Sequence, residues 1–414
     1  MIHQIFTMKK MLFLFACVIA LAPANAQYKN DNVLYKTVFP QYLCKTLQNT
    51  SEYLLLDVRS NPEFEDSVSS SAKYNLGHLK NAQNINVQEL GSRLKEIEAY
   101  KDKPVFVYCS HSQRSRRASK MLADSGFTNV INVNGGITGI RQLPADNCIY
   151  DNLTTNVGYQ IISAASLCKK ISNGGNDFFI LDVRSNSAWQ NISTDAKLNA
   201  FGHFKNSIHI PLTLIQSSLS QIPKNKEIIV VDISGDDASQ AAGILVKNNY
   251  KNIAVLLEGI DRYFSTDSKL LNCSEGSFVS AVKYRIISSA DFKRFAEDNT
   301  GYLTIDLRPG DEFLNKDKNS WKNIGHIKNA VNISAEHLIN NIESIKMYKY
   351  KPVVLYAFSG SSNVYEAANL LTAKGFTNVI VLNGGLFNLR WTAANVEGND
   401  SLAKMIEDVP QENL

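Results

Sequence analysis

The sequence lacks an excess of charge of either sign. It has 43 Lys and Arg residues against 39 Asp and Glu, which gives a formal net charge of +4. Lys9 and Lys10 fall in a predicted signal peptide, and without them the chain is nearly neutral. Domains that bind nucleic acid and segments that bind anionic membranes are usually strongly basic. The composition therefore argues against both kinds of partner.

Long apolar runs are also scarce. The run from Met11 to Ala22 is too short to span a membrane. It follows Lys9 and Lys10 and precedes the small-residue sequence Ala24-Asn25-Ala26. This order predicts a secretory signal peptide over residues 1–26, cleaved after Ala26. We expect an exported protein, periplasmic or secreted, with no membrane span.

The sequence has no cluster of His, Cys or carboxylate residues with the spacing of a metal site, and no glycine-rich loop in a phosphate-binding context. We therefore predict neither a metal nor a cofactor. The 414 residues are 44% hydrophobic and 20% charged, so the chain can build several cores and has no compositional mark of disorder. Two or three globular domains are expected.

Three sets of similar stretches recur about 124 residues apart. An apolar run ending in Asp-Val/Leu-Arg appears as "YLLLDVRSNPEF", "FFILDVRSNSAW" and "YLTIDLRPGDEF". It is followed each time by a Gly-His turn ("LGHLKNAQNIN", "FGHFKNSIHIP", "IGHIKNAVNIS") and then by "GFTNVINVNGG", "YKNIAVLLEG" or "GFTNVIVLNGG". So long a period indicates whole domains. We predict a signal peptide at residues 1–26 and three domains, unit one at 34–148, unit two at 153–273 and unit three at 284–396. A flexible acidic tail is predicted at 397–414.

Within unit one, strand-like and helix-like stretches alternate. "YLLLDV", "AQNINV", "PVFVYC" and "VINVNGG" are short apolar or β-branched runs, whereas "PQYLCKTLQN", "QELGSRLKEIEAY" and "RRASKMLADSG" have helical spacing. This alternation predicts a parallel sheet covered by helices, with ligands at the carboxyl ends of the strands. Cys109 ends one strand and opens the turn into a helix that is rich in arginine.

The combined motifs resemble the rhodanese (sulfurtransferase) family. They are the Asp-Val-Arg strand, the Gly-His turn, a cysteine that begins a six-residue loop ending in arginine, and the closing Gly-Gly. The resemblance extends over almost the whole chain after the signal peptide, three times. It implies an α/β fold of three tandem rhodanese-like domains, each with a mostly parallel five-stranded sheet flanked by helices.

Alignment of the three units separates candidate catalytic residues from residues that maintain the fold. Cys109 aligns with Asp232 in unit two and with Ala357 in unit three, so only unit one has the nucleophile. The other shared motif residues occur in all three units, including those without cysteine, and are interpreted as structural. They are Asp57, Arg59, Gly77 and His78; Asp182, Arg184, Gly202 and His203; and Asp306, Arg308, Gly325 and His326.

The resemblance implies that Cys109 takes a sulfane sulfur from a donor, holds it as a persulfide and passes it to an acceptor. A thiolate is the reactive form, and the start of a helix favours it. The expected partners are a small anionic sulfur donor, such as thiosulfate, and a thiol or cyanide-like acceptor. The predicted substrate-binding loop consists of Ser110, His111, Ser112, Gln113, Arg114 and Ser115.

The details of this loop give further expectations. Arg114, with Arg116, Arg117 and Lys120 behind it, forms a cluster of cations suited to an anionic donor. The six-residue length matches the sulfurtransferases, whereas the related phosphatases have one residue more. Many members of the family have glycine where this chain has Ser112, and serine would be strained if the position requires a positive φ. His111 is interpreted as an exposed loop residue, with modulation of the thiolate or of acceptor binding as the alternative.

The remaining cysteines follow a paired pattern. Cys44 and Cys168 occupy equivalent positions near the start of units one and two, and Cys148 and Cys273 follow the ends of the same units. Unit three lacks both positions. Each unit thus has both of these cysteines or neither of them. In an exported protein this predicts two disulfides, Cys44 to Cys148 and Cys168 to Cys273, and leaves Cys109 as the free thiol.

Two functions of different classes remain open from the sequence. In the first, the protein is an exported sulfurtransferase, and units two and three shape the acceptor site or bind a protein partner. In the second, all three units form a non-catalytic binding or assembly module, and Cys109 is a vestigial or redox-responsive thiol. The basic loop favours the first, whereas two units without cysteine, and Ser112, favour the second.

The loop of unit two contains Asp236 and Asp237, which should repel anions. Together with Asp232 they suggest either a cation site or a solvated polar loop.

Overall fold

The computed structural model describes residues 34–174, 177–273 and 276–410. The predicted signal peptide at residues 1–26 lies outside the described residues. In the part of the chain that is described, every helix is too short or too polar to cross a membrane.

Unit one contains seven short strands, and five of them form a parallel sheet. The strands are β1 (Lys36–Val38), β2 (Leu54–Asp57), β3 (His78–Leu79), β4 (Gln83–Asn84), β5 (Val105–Tyr108), β6 (Val130–Val133) and β7 (Leu153–Thr154). The α-helices are α1 (Pro40–Gln48), α2 (Asn61–Phe64), α3 (Leu90–Arg93), α4 (Gln113–Asp124) and α5 (Gly136–Arg141), with 3₁₀ turns at Ala72–Tyr74, Leu94–Tyr100 and Cys148–Asn152. The sheet order is β1-β6-β5-β2-β4, and every pair is parallel.

Unit two repeats this arrangement with the sheet order β8-β13-β12-β9-β11. Its strands are β8 (Gln160–Ile162), β9 (Phe178–Asp182), β10 (His203–Phe204), β11 (Ile208–His209), β12 (Glu227–Val231), β13 (Ile253–Leu256) and β14 (Phe278–Val279). Its α-helices are α6 (Ala164–Ser172), α7 (Asn186–Trp189), α8 (Ala196–Ala200), α9 (Asp236–Lys247) and α10 (Gly259–Ser265), with 3₁₀ turns at Leu212–Ser217, Leu219–Gln221 and Ser268–Leu270.

Unit three has the same topology, with the sheet order β15-β20-β19-β16-β18. Its strands are β15 (Arg285–Ile287), β16 (Leu303–Asp306), β17 (His326–Ile327), β18 (Val331–Asn332), β19 (Val353–Tyr356), β20 (Val379–Leu382) and β21 (Ile406–Glu407). Its α-helices are α11 (Ser289–Asp298), α12 (Gly310–Phe313), α13 (Ser362–Ala373) and α14 (Gly385–Asn395), with 3₁₀ turns at Ser320–Lys322, Ala335–Asn341, Glu343–Tyr348 and Asp400–Met405. The predicted fold class is confirmed.

The central strands are apolar throughout because each sheet is buried on both faces. In unit one, Leu55 and Phe106 belong to one apolar cluster, and their chain neighbours Leu56 and Val107 belong to another. Successive side chains of a strand point to opposite faces, so the two clusters lie on opposite sides of the sheet. The loops at the carboxyl ends of the strands are thereby carried on a rigid support.

A buried ion pair recurs at the end of the second sheet strand in each unit. The Asp57 carboxylate accepts bonds from the Arg59 side chain, whose Nη2 also donates to the Gly77 carbonyl at 2.7 Å. Equivalent pairs join Arg184 to Asp182 and Arg308 to Asp306. A buried arginine requires such partners. The contacts tie the Asp-Val-Arg strand to the Gly-His turn, which agrees with a structural role for both motifs.

The Gly-His turn is also held by a strand that the sequence did not reveal. β3 pairs antiparallel with β7, β10 with β14, and β17 with β21. Each unit therefore extends beyond its last sheet strand to return to its own Gly-His turn, so Leu153–Thr154, placed by the sequence at the start of unit two, belongs to unit one. The predicted flexible tail covers residues 397–414, of which 397–410 are described. In these, Leu402 is fully buried and Ile406–Glu407 is the third copy of the returning strand.

Both predicted disulfides are present. Cys44 is bonded to Cys148 and Cys168 to Cys273, and Cys109 is free. Each bond ties the first helix of its unit to the segment that follows the last helix.

The three units contact one another in a closed arrangement. One apolar cluster combines residues of units one and two, and another combines residues of units two and three. Units one and three meet through polar contacts, in which Asn134 donates to the Ala394 carbonyl at 3.1 Å and Tyr42 donates to Glu397 at 2.6 Å. Asn383, the counterpart of Asn134, donates to the Asp261 carbonyl of unit two at 3.0 Å. Each unit therefore contacts both of the others.

Candidate active site

Cys109 follows β5, the central strand of the unit-one sheet, and only 1% of its surface is exposed. Two helices begin beside it. α4 starts four residues later, and the first residues of α5 bond to the backbone of the loop. Ile137 N–H donates to the Cys109 carbonyl at 2.8 Å, and Thr138 N–H donates to the Ser110 carbonyl. A Cβ on Gly136 would lie 2.2 Å from the Cys109 carbonyl oxygen, which explains the closing glycine of the motif.

The predicted loop residues are brought together but differ in exposure. Ser110, Ser112 and Ser115 are buried, His111 and Arg114 are half-buried, and Gln113 is exposed. The Ser115 hydroxyl donates to the Ser112 carbonyl at 3.1 Å. The serines therefore shape the loop from within, whereas the His111 and Arg114 side chains are partly exposed.

Ser112 has the positive φ that would favour glycine, +84°. Its counterpart in unit two, Gly235, has a φ of +87°. Ser112 compensates for this conformation because its Oγ accepts a hydrogen bond from Gly135 N–H at 2.5 Å. The loop thus keeps the backbone shape of its glycine-containing sister.

Two substitutions should separate strain from hydrogen bonding at this position. Ser112→Ala keeps the strain and loses the bond, so we expect the free energy of unfolding to fall by about 1 kcal/mol. Ser112→Gly loses the bond but relieves the strain, so it should be nearly neutral. Urea titrations of both variants test this. Equal destabilisation would show that Ser112 is unstrained.

Arg114 does not stand free at the rim of the loop. Its guanidinium donates to both Glu63 carboxylate oxygens, at 2.6 and 2.7 Å, and to the Ser110 Oγ at 2.9 Å. Burial raises the pKa of Glu63, but the bonds from Arg114 and its charge outweigh this and lower the pKa to about 2. Glu63 was not singled out from the sequence, although the Ser60–Glu63 capping box that begins α2 holds it in place.

The expected cluster of cations is not assembled at the loop. Arg114 is paired with Glu63, and Arg116 donates to the Ala394 carbonyl of unit three at 3.2 Å. Lys120 pairs with Asp124 on the outside of α4. Arg114, Arg116 and Lys120 each bond to a carboxylate or carbonyl, and of these three only Arg114 lines the cleft beside the cysteine loop, so the site is less electropositive than the sequence suggested.

A cleft of about 640 Å³ opens beside the loop. Hydroxyl groups dominate its wall, and Glu63 and Arg114 form its charged edge. The lining residues are Ser60, Pro62, Glu63, Ser67, Val68, Ser69, Ser70, Tyr74, Ser110, His111 and Arg114. The cleft is large enough for a substrate bigger than thiosulfate and offers it many hydrogen-bonding partners.

In unit two, the equivalent loop surrounds a carboxylate in place of the thiol. The buried Asp232 carboxylate takes the place of the thiol and accepts bonds from Gly235 N–H at 2.5 Å and Asp237 N–H at 2.9 Å. The backbone N–H groups of this loop therefore converge on an anion. The described residues contain no group of three or more potential metal ligands, so the cation site considered from the sequence is not formed.

Asp232 should make unit two sensitive to pH. Burial raises the pKa of this carboxyl to about 6, despite the bonds from Gly235 and Asp237. The folded state therefore prefers the protonated form, and stability falls as pH rises from about 4 through 6. Relative to Asp232→Asn, we expect the free energy of unfolding of the unaltered protein to fall by about 2 kcal/mol from pH 4 to 7. Urea titrations at both pH values test this, and a constant difference would contradict it.

Unit three has neither a thiol nor a carboxylate at this position. Ala357 is buried, and the loop that follows it reaches α13 one residue later than in the other units. Phe358 packs edge-on against Trp321, with ring centroids 5.3 Å apart. The polar side chains of this loop, residues 357–363, are three serine hydroxyls and one asparagine amide.

His111 connects the Cys109 loop to both other units, which the sequence did not predict. Its Nε2 lies 2.7 Å from the Glu258 carboxylate of unit two, and its carbonyl accepts a bond from the Trp391 indole of unit three at 3.0 Å. His111 is half-buried and bonded to two other units, whereas the sequence interpretation took it as an exposed loop histidine with no chemical role. One signal was present in the sequence: "LLEG" of unit two has glutamate where "VNGG" and "LNGG" have glycine.

Three parallel α/β units with one buried thiol at the end of a central strand define a multidomain α/β protein with a single cysteine-centred site. The family model of the rhodanese-like domain matches residues 41–143, 163–266 and 288–391. The chain therefore belongs to the rhodanese-like family and contains three such domains in tandem.

Two sequence relatives match about a quarter to a third of the chain, and one solved structure matches most of it. The protein YqhL of Bacillus subtilis (strain 168) is 36% identical over 105 residues, covering 24% of this chain and 74% of YqhL. The tRNA uridine(34) hydroxylase of Cytophaga hutchinsonii is 30% identical over 142 residues, covering 31% of this chain and 42% of the hydroxylase. A thiosulfate sulfurtransferase structure from Pseudomonas aeruginosa is 16% identical, with a TM-score of 0.23, and covers 91% of this chain and 71% of that one.

Proposed function

We propose that this protein is an exported sulfurtransferase in which Cys109 carries a sulfane sulfur as a persulfide. The donor is a thiosulfate-like anion, and the acceptor is a nucleophile such as a thiol or cyanide. The observation that carries the proposal is the position of Cys109, the free cysteine of the described residues. In the equivalent loop of unit two, backbone N–H groups donate to the carboxylate of Asp232, the residue that aligns with Cys109.

This position suits the chemistry because both the thiolate and the persulfide are anions. Backbone N–H groups and the starts of α4 and α5 favour negative charge at the end of β5. Arg114 is held rigidly at the edge of the cleft by Glu63. A donor anion would meet a fixed guanidinium there, in competition with that carboxylate.

Export is supported by the cysteine pattern. Two disulfides that close long loops are typical of an oxidising compartment. Together with the predicted signal peptide, they favour the periplasm if the source is a Gram-negative bacterium.

The proposal is tested by treating the mature protein with thiosulfate and measuring its intact mass, and by measuring thiocyanate formation after cyanide is added. We expect the mass to increase by one sulfur atom and thiocyanate to form catalytically. If several sulfane donors give neither result, the binding or assembly module becomes the better interpretation of the three units.

A further inference from the structure

We propose that His111 is the general base for a thiol acceptor, and that Glu258 of unit two is its positioning residue. This inference rests on the proposed function and deepens it. It assigns the acceptor to the class of thiols and gives unit two a part in a reaction that occurs at unit one.

The first support is the location of His111. Its side chain lines the same cleft as Ser110 and Arg114, two residues along the chain from Cys109. The sister loops have Ser234 and Ser359 at this position. The unit that has the nucleophile is thus also the one that has an imidazole.

The second support is the hydrogen bond to Glu258, because it determines which ring nitrogen is basic. An ionised carboxylate can only accept, so Nε2 of His111 carries the proton in the 2.7 Å contact. Nδ1 is then the atom that takes up a proton, and it has no hydrogen-bond partner among the described residues. A nucleophile, a base and a group that orients the base are the components expected of covalent catalysis.

The third support is the conformation of Glu258. It has a φ of +52°, whereas its counterparts Gly135 and Gly384 are glycines that adopt this left-handed conformation without cost. A glutamate in this conformation is strained. Its side chain contacts the catalytic loop of another unit, so the strain coincides with a specific interaction.

Neighbouring groups fix Glu258 and His111 in this geometry. The Arg262 guanidinium donates to the second Glu258 oxygen at 2.6 Å and lies over the Trp391 ring, 5.7 Å from its centroid. Trp391 in turn bonds to the His111 carbonyl. The charged groups near His111 are therefore Glu258 and Arg262 from unit two, and Arg114 and Glu63 along the cleft of unit one.

In the proposed step, a thiol acceptor takes the outer sulfur of the Cys109 persulfide. The acceptor S–H bond breaks and its proton moves to Nδ1 of His111. The acceptor sulfur bonds to the outer sulfur of the persulfide, the bond between that sulfur and Cys109 Sγ breaks, and Sγ leaves as the thiolate. The acceptor departs as a persulfide and the proton passes to solvent, so no external oxidant or reductant is needed.

The test separates acceptors that carry a proton from those that do not. Cys109 is first loaded with sulfur from thiosulfate, the donor is removed, and the added sulfur is verified by intact mass. The loaded protein is then discharged in single turnovers at neutral pH by glutathione, by an aromatic thiol that is already ionised, or by sulfite, which attacks through a lone pair. The variants are His111→Ala, Glu258→Gln and Glu258→Gly, with His337→Ala on the surface of unit three as the control.

We expect His111→Ala to slow discharge by glutathione about 10²-fold. Discharge by sulfite and by the ionised thiol should be unchanged. Both Glu258 variants should give an intermediate loss confined to glutathione. Glu258→Gly should fold at least as well as the unaltered protein, since it restores the glycine found in the sister units.

Each other outcome overturns the inference in a distinguishable way. Glutathione discharge that is unaffected in His111→Ala would exclude a base at this position. Equal losses for glutathione and sulfite would show that His111 only maintains the loop. Failure of thiosulfate to load the unaltered protein would overturn the proposed function, and this inference with it.

Discussion

Replacing Cys109 by serine is expected to lower thiocyanate formation from thiosulfate and cyanide by more than about 10³-fold. No sulfur should be added to the protein, because a serine hydroxyl is neither ionised at neutral pH nor able to hold a sulfane sulfur. The fold should persist, since serine differs from the buried thiol by one atom of similar size. Thiocyanate assays and intact mass spectra measure the two effects.

A matched control exists in unit three. Ala357→Ser places the same hydroxyl at the equivalent strand end, so it should leave the activity unchanged. If Cys109→Ser retained most of the activity, the sulfur would have to be carried elsewhere, and the proposed role of the unit-one loop would fail.

Removing the disulfide of unit two should have the largest effect on stability. The bond joins residues 105 positions apart. Chain-entropy models give about 4–5 kcal/mol for a loop of that length. We expect the double variant Cys168→Ala with Cys273→Ala to lose about that much free energy of unfolding, because the unfolded chain regains the freedom that the bond removes.

Hydrogen exchange measured by mass spectrometry can locate this loss. Exchange should accelerate in the strands of unit two. It should change less in unit three, which lies outside the loop that the bond closes and has no disulfide among its described residues, although it contacts unit two through an apolar cluster and hydrogen bonds. A uniform change across all three units would contradict the assignment and show that the units unfold as one.

The sequence predicted the features that repeat. The Asp-Val-Arg strand, the Gly-His turn and the closing glycine recur in each unit because local backbone geometry and burial impose them. The alignment of Cys109 with Asp232 and Ala357 followed from the same repetition. The cysteine pairs were predictable because both partners were present or absent together.

The sequence did not predict the features that occur once or lie far apart. The bonds from His111 to Glu258 and Trp391 span 147 and 280 residues. Arg114 was assigned to the substrate because nothing in the pattern connected it to Glu63, 51 residues earlier. The returning strands of two residues, such as Ile406–Glu407, are too short to show an alternating pattern.

The bond from Trp391 to the His111 carbonyl also has a consequence for the order of synthesis. The chain is made from its amino terminus, and domains generally fold as they emerge. Unit one can therefore form its sheet and its Cys109 loop long before Trp391 exists. Until α14 of unit three has been added, the loop lacks this contact, so the reactive cysteine reaches its final surroundings only after unit three has formed.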